Sequence, residues 1–120
     1  QQITLDHSLV AELVRSGKIT ETQATKYPWK NIITRALGMD KNIKVDIFTT
    51  DFSSLDILIL CTDGLSNFVD KYEIEEIVSG IKDSNEACEK LISVANKRGG
   101  YDNITVLVAK NNNEQNIESR

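Results

Sequence analysis

Two aspartates stand where a carboxylate is expensive unless something binds it. Asp63 follows the apolar run Ile57–Cys61 within the stretch ILILCTDGLSN, and Gly64 after it lets the chain turn sharply. Asp102 precedes a second apolar run, in GGYDNITVLV. If these runs are neighbouring antiparallel strands, the end of one lies beside the beginning of the other, and both carboxylates meet at one rim of the sheet. Close carboxylates repel, and one takes up a proton unless a cation sits between them. Oxygen donors of this kind favour a hard cation such as Mg²⁺ or Mn²⁺. With a single histidine and no cysteine cluster, zinc is disfavoured. A plainer reading stands beside this one, because Asp-Gly is a common turn and Asp-Asn before a strand can form an Asx-turn.

The remaining elements would position such a pair. Leu9, Val10, Leu13 and Val14 share one helical face within residues 8–16, and Gly17 stops that helix. Thr20-Glu21-Thr22-Gln23 is a capping-box pattern that opens a second short helix, bounded by Pro28. Together they form a helical hairpin, apolar on one side only. Ile43, Val45 and Ile47 alternate with Lys44 and Asp46, the signature of a half-buried strand. The ILILC run does not alternate, so it is expected to be covered on both faces. A helix capped by Asp70, with Glu73 three residues on, should run to Gly80, and another from near Ser84 to Gly99-Gly100. Asn103–Val108 is the last expected strand, and the tail over 111–120 is polar. The order is ααββααβ, an α+β arrangement of helices on an incomplete antiparallel sheet with exposed edges.

The chain has 120 residues, a formal net charge of −4, 40% hydrophobic and 27% charged residues. These totals suit one globular domain and exclude a basic footprint for nucleic acid or an acidic membrane surface. No apolar run approaches the ~20 residues of a membrane span, and the N-terminal QQITLDH lacks the features of a signal peptide. Cys61 and Cys88 are too far apart for a CxxC motif and read as small buried hydrophobes, consistent with a reducing cytoplasm.

The segments LILCTDGLSN (58–67) and GGYDNITVLV (99–108) resemble the last two motifs of the metal-dependent protein Ser/Thr phosphatases, the PPM or type 2C family. DHSLVAELVRSGKIT (6–20) and NIITRALG (31–38) resemble its bacterial branch. The resemblance implies part of a two-sheet antiparallel β-sandwich flanked by helices, with Asp63 and Asp102 as ligands of a dinuclear Mn²⁺ or Mg²⁺ centre. Asp63 would also help to hold a third, weaker metal, and Asn103 would support the site through hydrogen bonds. The implied reaction is hydrolysis of phosphoserine or phosphothreonine by metal-activated water, on substrates of a Ser/Thr kinase. The hairpin of residues 6–28 corresponds to the family's mobile flap, which brings in His7, Ser8 and Arg35 as substrate-side residues. For His7, helix entry and local hydrogen bonding are the competing role; for Arg35, a salt bridge.

The family's early arginine, acidic pair and bridging Asp-Gly motif do not occur in these residues, and Asn67 stands where some members carry a further aspartate. Residues 1–110 are therefore expected to be the C-terminal portion of a phosphatase domain about twice as long, inactive alone and prone to pair with a copy of itself or with the missing half. A non-catalytic partner-binding module and a degenerate signalling phosphatase are the alternative readings.

Overall fold

The computed structural model describes residues 1–30, 32–38 and 41–111. Of the polar tail expected over 111–120, all but Asn111 lies outside the described residues. The chain forms two compact units, Gln1–Thr50 and Asp51–Arg120.

The first unit is a helical hairpin followed by extended chain. Helix α1 (Leu9–Arg15) starts at Ser8, whose hydroxyl accepts from the Ala11 amide at 3.2 Å, and it buries Val10. It ends before Gly17, at φ 70°, a conformation that glycine adopts without a side-chain clash. Helix α2 (Glu21–Ala24) carries the complete capping box, with Thr20 and Gln23 each capping the other's amide. It stops at Ala24, four residues short of Pro28. A short antiparallel bridge joins Ser8 to Ile33, flanked by hydrogen bonds from the Leu9 amide to the Ile32 carbonyl and from the Thr34 amide to the His7 carbonyl.

The strand expected over Ile43–Ile47 does not form. Val45 and Ile47 are 72% and 87% exposed in irregular chain, and no described segment pairs with them. Alternation marks a strand only when a neighbour supplies the other half of the ladder.

The second unit is a sheet covered by helices. Strand β1 (Ile57–Cys61) pairs antiparallel with β2 (Val106–Lys110), with Ile59 opposite Val108 and Cys61 opposite Val106. Between them the chain forms the single turn α3 (Asp63–Ser66), then α4 (Lys71–Gly80) and α5 (Ser84–Lys97). Both longer helices begin on an aspartate cap, Asp70 and Asp83, whose carboxylates accept first-turn amides. The ammonium of Lys110 donates to the carbonyls of Val78 and Ile81, satisfying acceptors left open where α4 ends.

Two corrections to the expected sheet follow. The last strand starts at Val106 rather than Asn103, so residues 103–105 form the approach to the ladder. Coverage is one-sided as well. Leu65, Val69, Val78, Ala87, Leu91, Ala95 and Val108 form the core, with Ile57, Ile59 and Val106 packed against it. On the other face Leu60 and its partner Leu107 remain 54% and 51% exposed. Cys61 is likewise exposed rather than buried, and Cys88 is half-buried. A continuous apolar run predicts two covering layers, and the described residues of this unit supply one.

This asymmetry fixes an expected contrast. Leu91→Ala, which empties a position with 0% exposure, should cost about 2–5 kcal/mol. Leu60→Ala on the open face should change stability by no more than about 0.5–1 kcal/mol. Urea unfolding of the two variants checks it, and equal losses would contradict a one-sided core.

Candidate metal centre

The segments that bear Asp63 and Asp102 are joined by a crossing just beyond the strand ends. Past Cys61 the ladder continues through one more backbone bond, from the Thr62 amide to the Thr105 carbonyl at 3.1 Å. The Thr62 side chain then takes over. Its hydroxyl donates to the Asn103 carbonyl at 3.0 Å and accepts from the Thr105 amide at 3.0 Å. One hydroxyl thus satisfies two backbone groups that the end of the ladder leaves open.

Gly64 completes the crossing. A Cβ built there would lie 2.4 Å from the Asn103 carbonyl oxygen and 3.3 Å from Cγ1 of Ile104. The glycine after Asp63 therefore serves close backbone approach. Its neighbour Leu65 is wholly buried and anchors α3 in the core. Asp63 is the first residue of α3 and exposed, and its carboxylate has no hydrogen-bond or ion-pair partner among the described residues. Asp102 is exposed on the opposing segment, where one of its oxygens accepts from the Asn103 amide at 2.7 Å.

This bond reaches the next residue rather than the one two positions on, so it is not the Asx-turn of the plainer reading, but it is a local side-chain-to-backbone bond at the approach to β2. That bond also orients the carboxylate and occupies only part of its acceptor capacity. Hence the backbone segments bearing Asp63 and Asp102 are in contact at one sheet end, and both carboxylates face solvent with acceptor sites to spare. These are hard oxygen donors, suited to Mn²⁺ or Mg²⁺. No group of three or more histidine, cysteine, aspartate or glutamate side chains suited to a metal occurs among the described residues. The pair fits as part of a larger donor set.

His7, Ser8 and Arg35 belong to the first unit, and all three are engaged there. His7 Nε2 lies 2.9 Å and Arg35 Nη1 3.0 Å from the same oxygen, Oδ2 of Asp46. The two donor nitrogens are 3.0 Å apart. A guanidinium can only donate and a carboxylate can only accept, so both partners are satisfied when the His7 proton sits on Nε2 and both nitrogens donate to Asp46. Ser8 is the cap of α1. Asp46 was not legible as their partner, because it stands in a segment that reads as a strand. Its alternation with Val45 and Ile47 marks it only as a solvent-facing residue.

Among known proteins, this chain is 46% identical over 112 residues to the Ser/Thr phosphatase Stp of Listeria innocua, covering 93% of this chain and 44% of that protein. Among solved structures it matches the Mycobacterium tuberculosis Ser/Thr phosphatase PstP/Ppp with TM-score 0.80 and 37% identity, over 92% of this chain and 46% of that one. A structure of the PstP catalytic domain with two manganese ions matches with TM-score 0.70 and 35% identity, over 92% and 44% of the two chains. No protein-family model matches. The chain spans a little under half the length of these relatives. Fold and sequence together point to one class, and over nearly all of its length the chain is similar to part of the protein Ser/Thr phosphatases. More narrowly, the similarity is to the bacterial PPM phosphatases.

Two outcomes are expected. Gly64→Ala must displace backbone, since its nearest neighbour is a carbonyl oxygen, and should cost about 1–3 kcal/mol by urea unfolding while shifting the Asn103 amide resonance. The Asp46 carboxyl is held below its ordinary value of 3.8, first by its hydrogen bond to Arg35 and further by the charges of Arg35 and His7, against partial desolvation. Its contribution to stability is therefore complete above pH 3.8 and is lost as pH falls through the lower folded-state value. A carboxyl carbon NMR titration should give an Asp46 midpoint below 3.8 that rises in Arg35→Met.

Proposed function

We propose that this chain is the C-terminal portion, residues 1–110, of a PPM phosphatase domain, and that Asp63 and Asp102 are ligands of its Mn²⁺ or Mg²⁺ centre. The observation that carries this reading is the crossing at Thr62, Gly64 and Asn103, which sets two exposed carboxylates on touching segments, with Asp63 lacking a partner among the described residues. The manganese ions bound by the PstP relative support the choice of cation.

In this reading the cations, when bound, would neutralise phosphate oxygens and activate water for attack on a phosphoserine or phosphothreonine ester. The chain's own residues have narrower tasks. Asp63 and Asp102 supply oxygen donors, and Asp63 also serves a third, weaker ion. Asn103 supports Asp102 through its amide and receives the Thr62 hydroxyl on its carbonyl. The hairpin of residues 6–28 is the substrate-side flap. His7 and Arg35, paired on Asp46, hold its entry and offer donors towards the phosphoprotein, while Ser8 caps its first helix. The substrates are phosphoproteins produced by a Ser/Thr kinase. Two free cysteines accord with a reducing cytoplasm, and no described helix is long and apolar enough to cross a membrane.

The chain alone should be inactive, because two carboxylates are too few for two closely spaced cations. A specific observation also favours a binding role for the isolated chain: the open sheet face at Leu60 and Leu107 suits pairing with a second copy or with the remainder of such a domain.

The test is Mn²⁺-dependent hydrolysis of a phosphothreonine peptide, with calorimetric Mn²⁺ titration alongside. The expected results are no turnover and binding in about the millimolar range that Asp63→Ala removes. Supplying the upstream half of a PPM domain should restore turnover. Micromolar binding that survives Asp63→Ala would overturn the ligand assignment.

A further inference from the structure

The single-turn helix α3 cannot hold its own shape. One hydrogen-bonded turn is the unfavourable nucleus of a helix, and it persists only when its surroundings fix both ends. Its N-terminal end is fixed by the Thr62 crossing. Past its other end, beside the buried anchors Leu65 and Val69, the chain meets Arg98, the residue that follows α5 and begins the loop leading to Asp102.

Arg98 Nη1 donates to the carbonyl of Phe68, just past α3, at 2.9 Å. The same guanidinium forms a two-pronged pair with Glu73 in the first turn of α4, at 2.6 Å and 2.8 Å. Glu73 is itself located by the Asp70 cap, which accepts its amide at 3.1 Å. This planar, two-pronged geometry is the arrangement in which a partly exposed ion pair retains directional strength. The loop after Arg98 folds back on the same place. Gly99 and Gly100 take φ values of 144° and 55°, which glycine tolerates, and the Tyr101 ring lies 6.3 Å from that of Phe68. The segment bearing Asp63 and the segment bearing Asp102 are thus joined twice, at Thr62–Asn103 and at Phe68–Arg98.

We propose that Arg98, oriented by Glu73, is a positioning residue that fixes the spacing of the Asp63 and Asp102 carboxylates. This rests on the metal-ligand reading given above. Arg98 touches neither carboxylate nor substrate and acts through α3 and the Gly-Gly loop.

The experiment uses the ¹⁵N-labelled full chain, with amide hydrogen exchange first and then paramagnetic broadening by Mn²⁺. In Arg98→Met, the amides of Asn67 and Val69, which close α3 onto Asp63 and Leu65, should exchange about tenfold faster, while those in the middle of α5 remain unchanged. Broadening at the Asp63 and Asp102 amides should then require roughly three- to tenfold more Mn²⁺ than in the wild type. Arg98→Lys, which keeps the charge and one donor but not the two-pronged pair, should fall between. Exchange in α3 unaltered by Arg98→Met, or raised equally throughout α5, would overturn the positioning role whatever the metal result. Wild-type amides at 63 and 102 that Mn²⁺ leaves sharp would instead overturn the metal-ligand reading, and the positioning role towards a metal with it.

Discussion

The second unit depends on one close approach, the backbone at Gly64 against the carbonyl of Asn103. No side chain fits between them, so the exit from β1 and the approach to β2 are pressed together beyond the last rung of the ladder. Thr62 holds them with one hydroxyl that acts as donor and acceptor at once. The burial of Leu65 and Val69 pulls the same segment into the helices below. Strand pairing, helix packing and the placement of the two aspartates are therefore one constraint seen from three sides. A protein that needs carboxylates at a fixed spacing gains from placing them on a rigid crossing rather than on a free loop.

The rim contrasts with the rest of the sheet. The helix side is packed on residues of near-zero exposure, whereas the opposite face leaves Leu60 and Leu107 open. In the related phosphatases this chain accounts for under half the length, and an uncovered apolar sheet face is the expected physical character of a partial sandwich. Among the described residues, no third histidine, cysteine, aspartate or glutamate side chain joins Asp63 and Asp102 in a group that could hold a metal ion.

The first unit has a different logic. Its helices are short, and Val10 is its one buried apolar residue among those described. Its order comes from caps and polar contacts, Ser8 on α1, Thr20 with Gln23 on α2, and the His7–Asp46–Arg35 cluster. Interactions of this kind contribute modest stability each and respond to pH and salt. Such a segment opens more readily than a packed core.

Local chemistry was legible in the sequence. The Asp70 cap, the Thr20–Gln23 box, the stop at Gly17 and the apolar strand ending in Asp63 each depend on residues a few positions apart, and such signals survive without tertiary context. The motifs around Asp63 and Asp102 also carried the family. What remained hidden is everything that depends on a distant neighbour. Ile43–Ile47 alternates but finds no partner strand among the described residues, and ILILC is covered on one face because the described residues of its own unit supply one layer. Asp46 becomes a ligand of His7 and Arg35 through a contact across 39 and 11 positions respectively. Thr62 and Arg98 look like unremarkable polar residues until the fold places carbonyls of Asn103 and Phe68 before them. The sequence determined which residues could bind, cap and turn; the tertiary structure decided which of them meet, because hydrogen bonds and close packing act over a few ångströms in space whatever their separation along the chain.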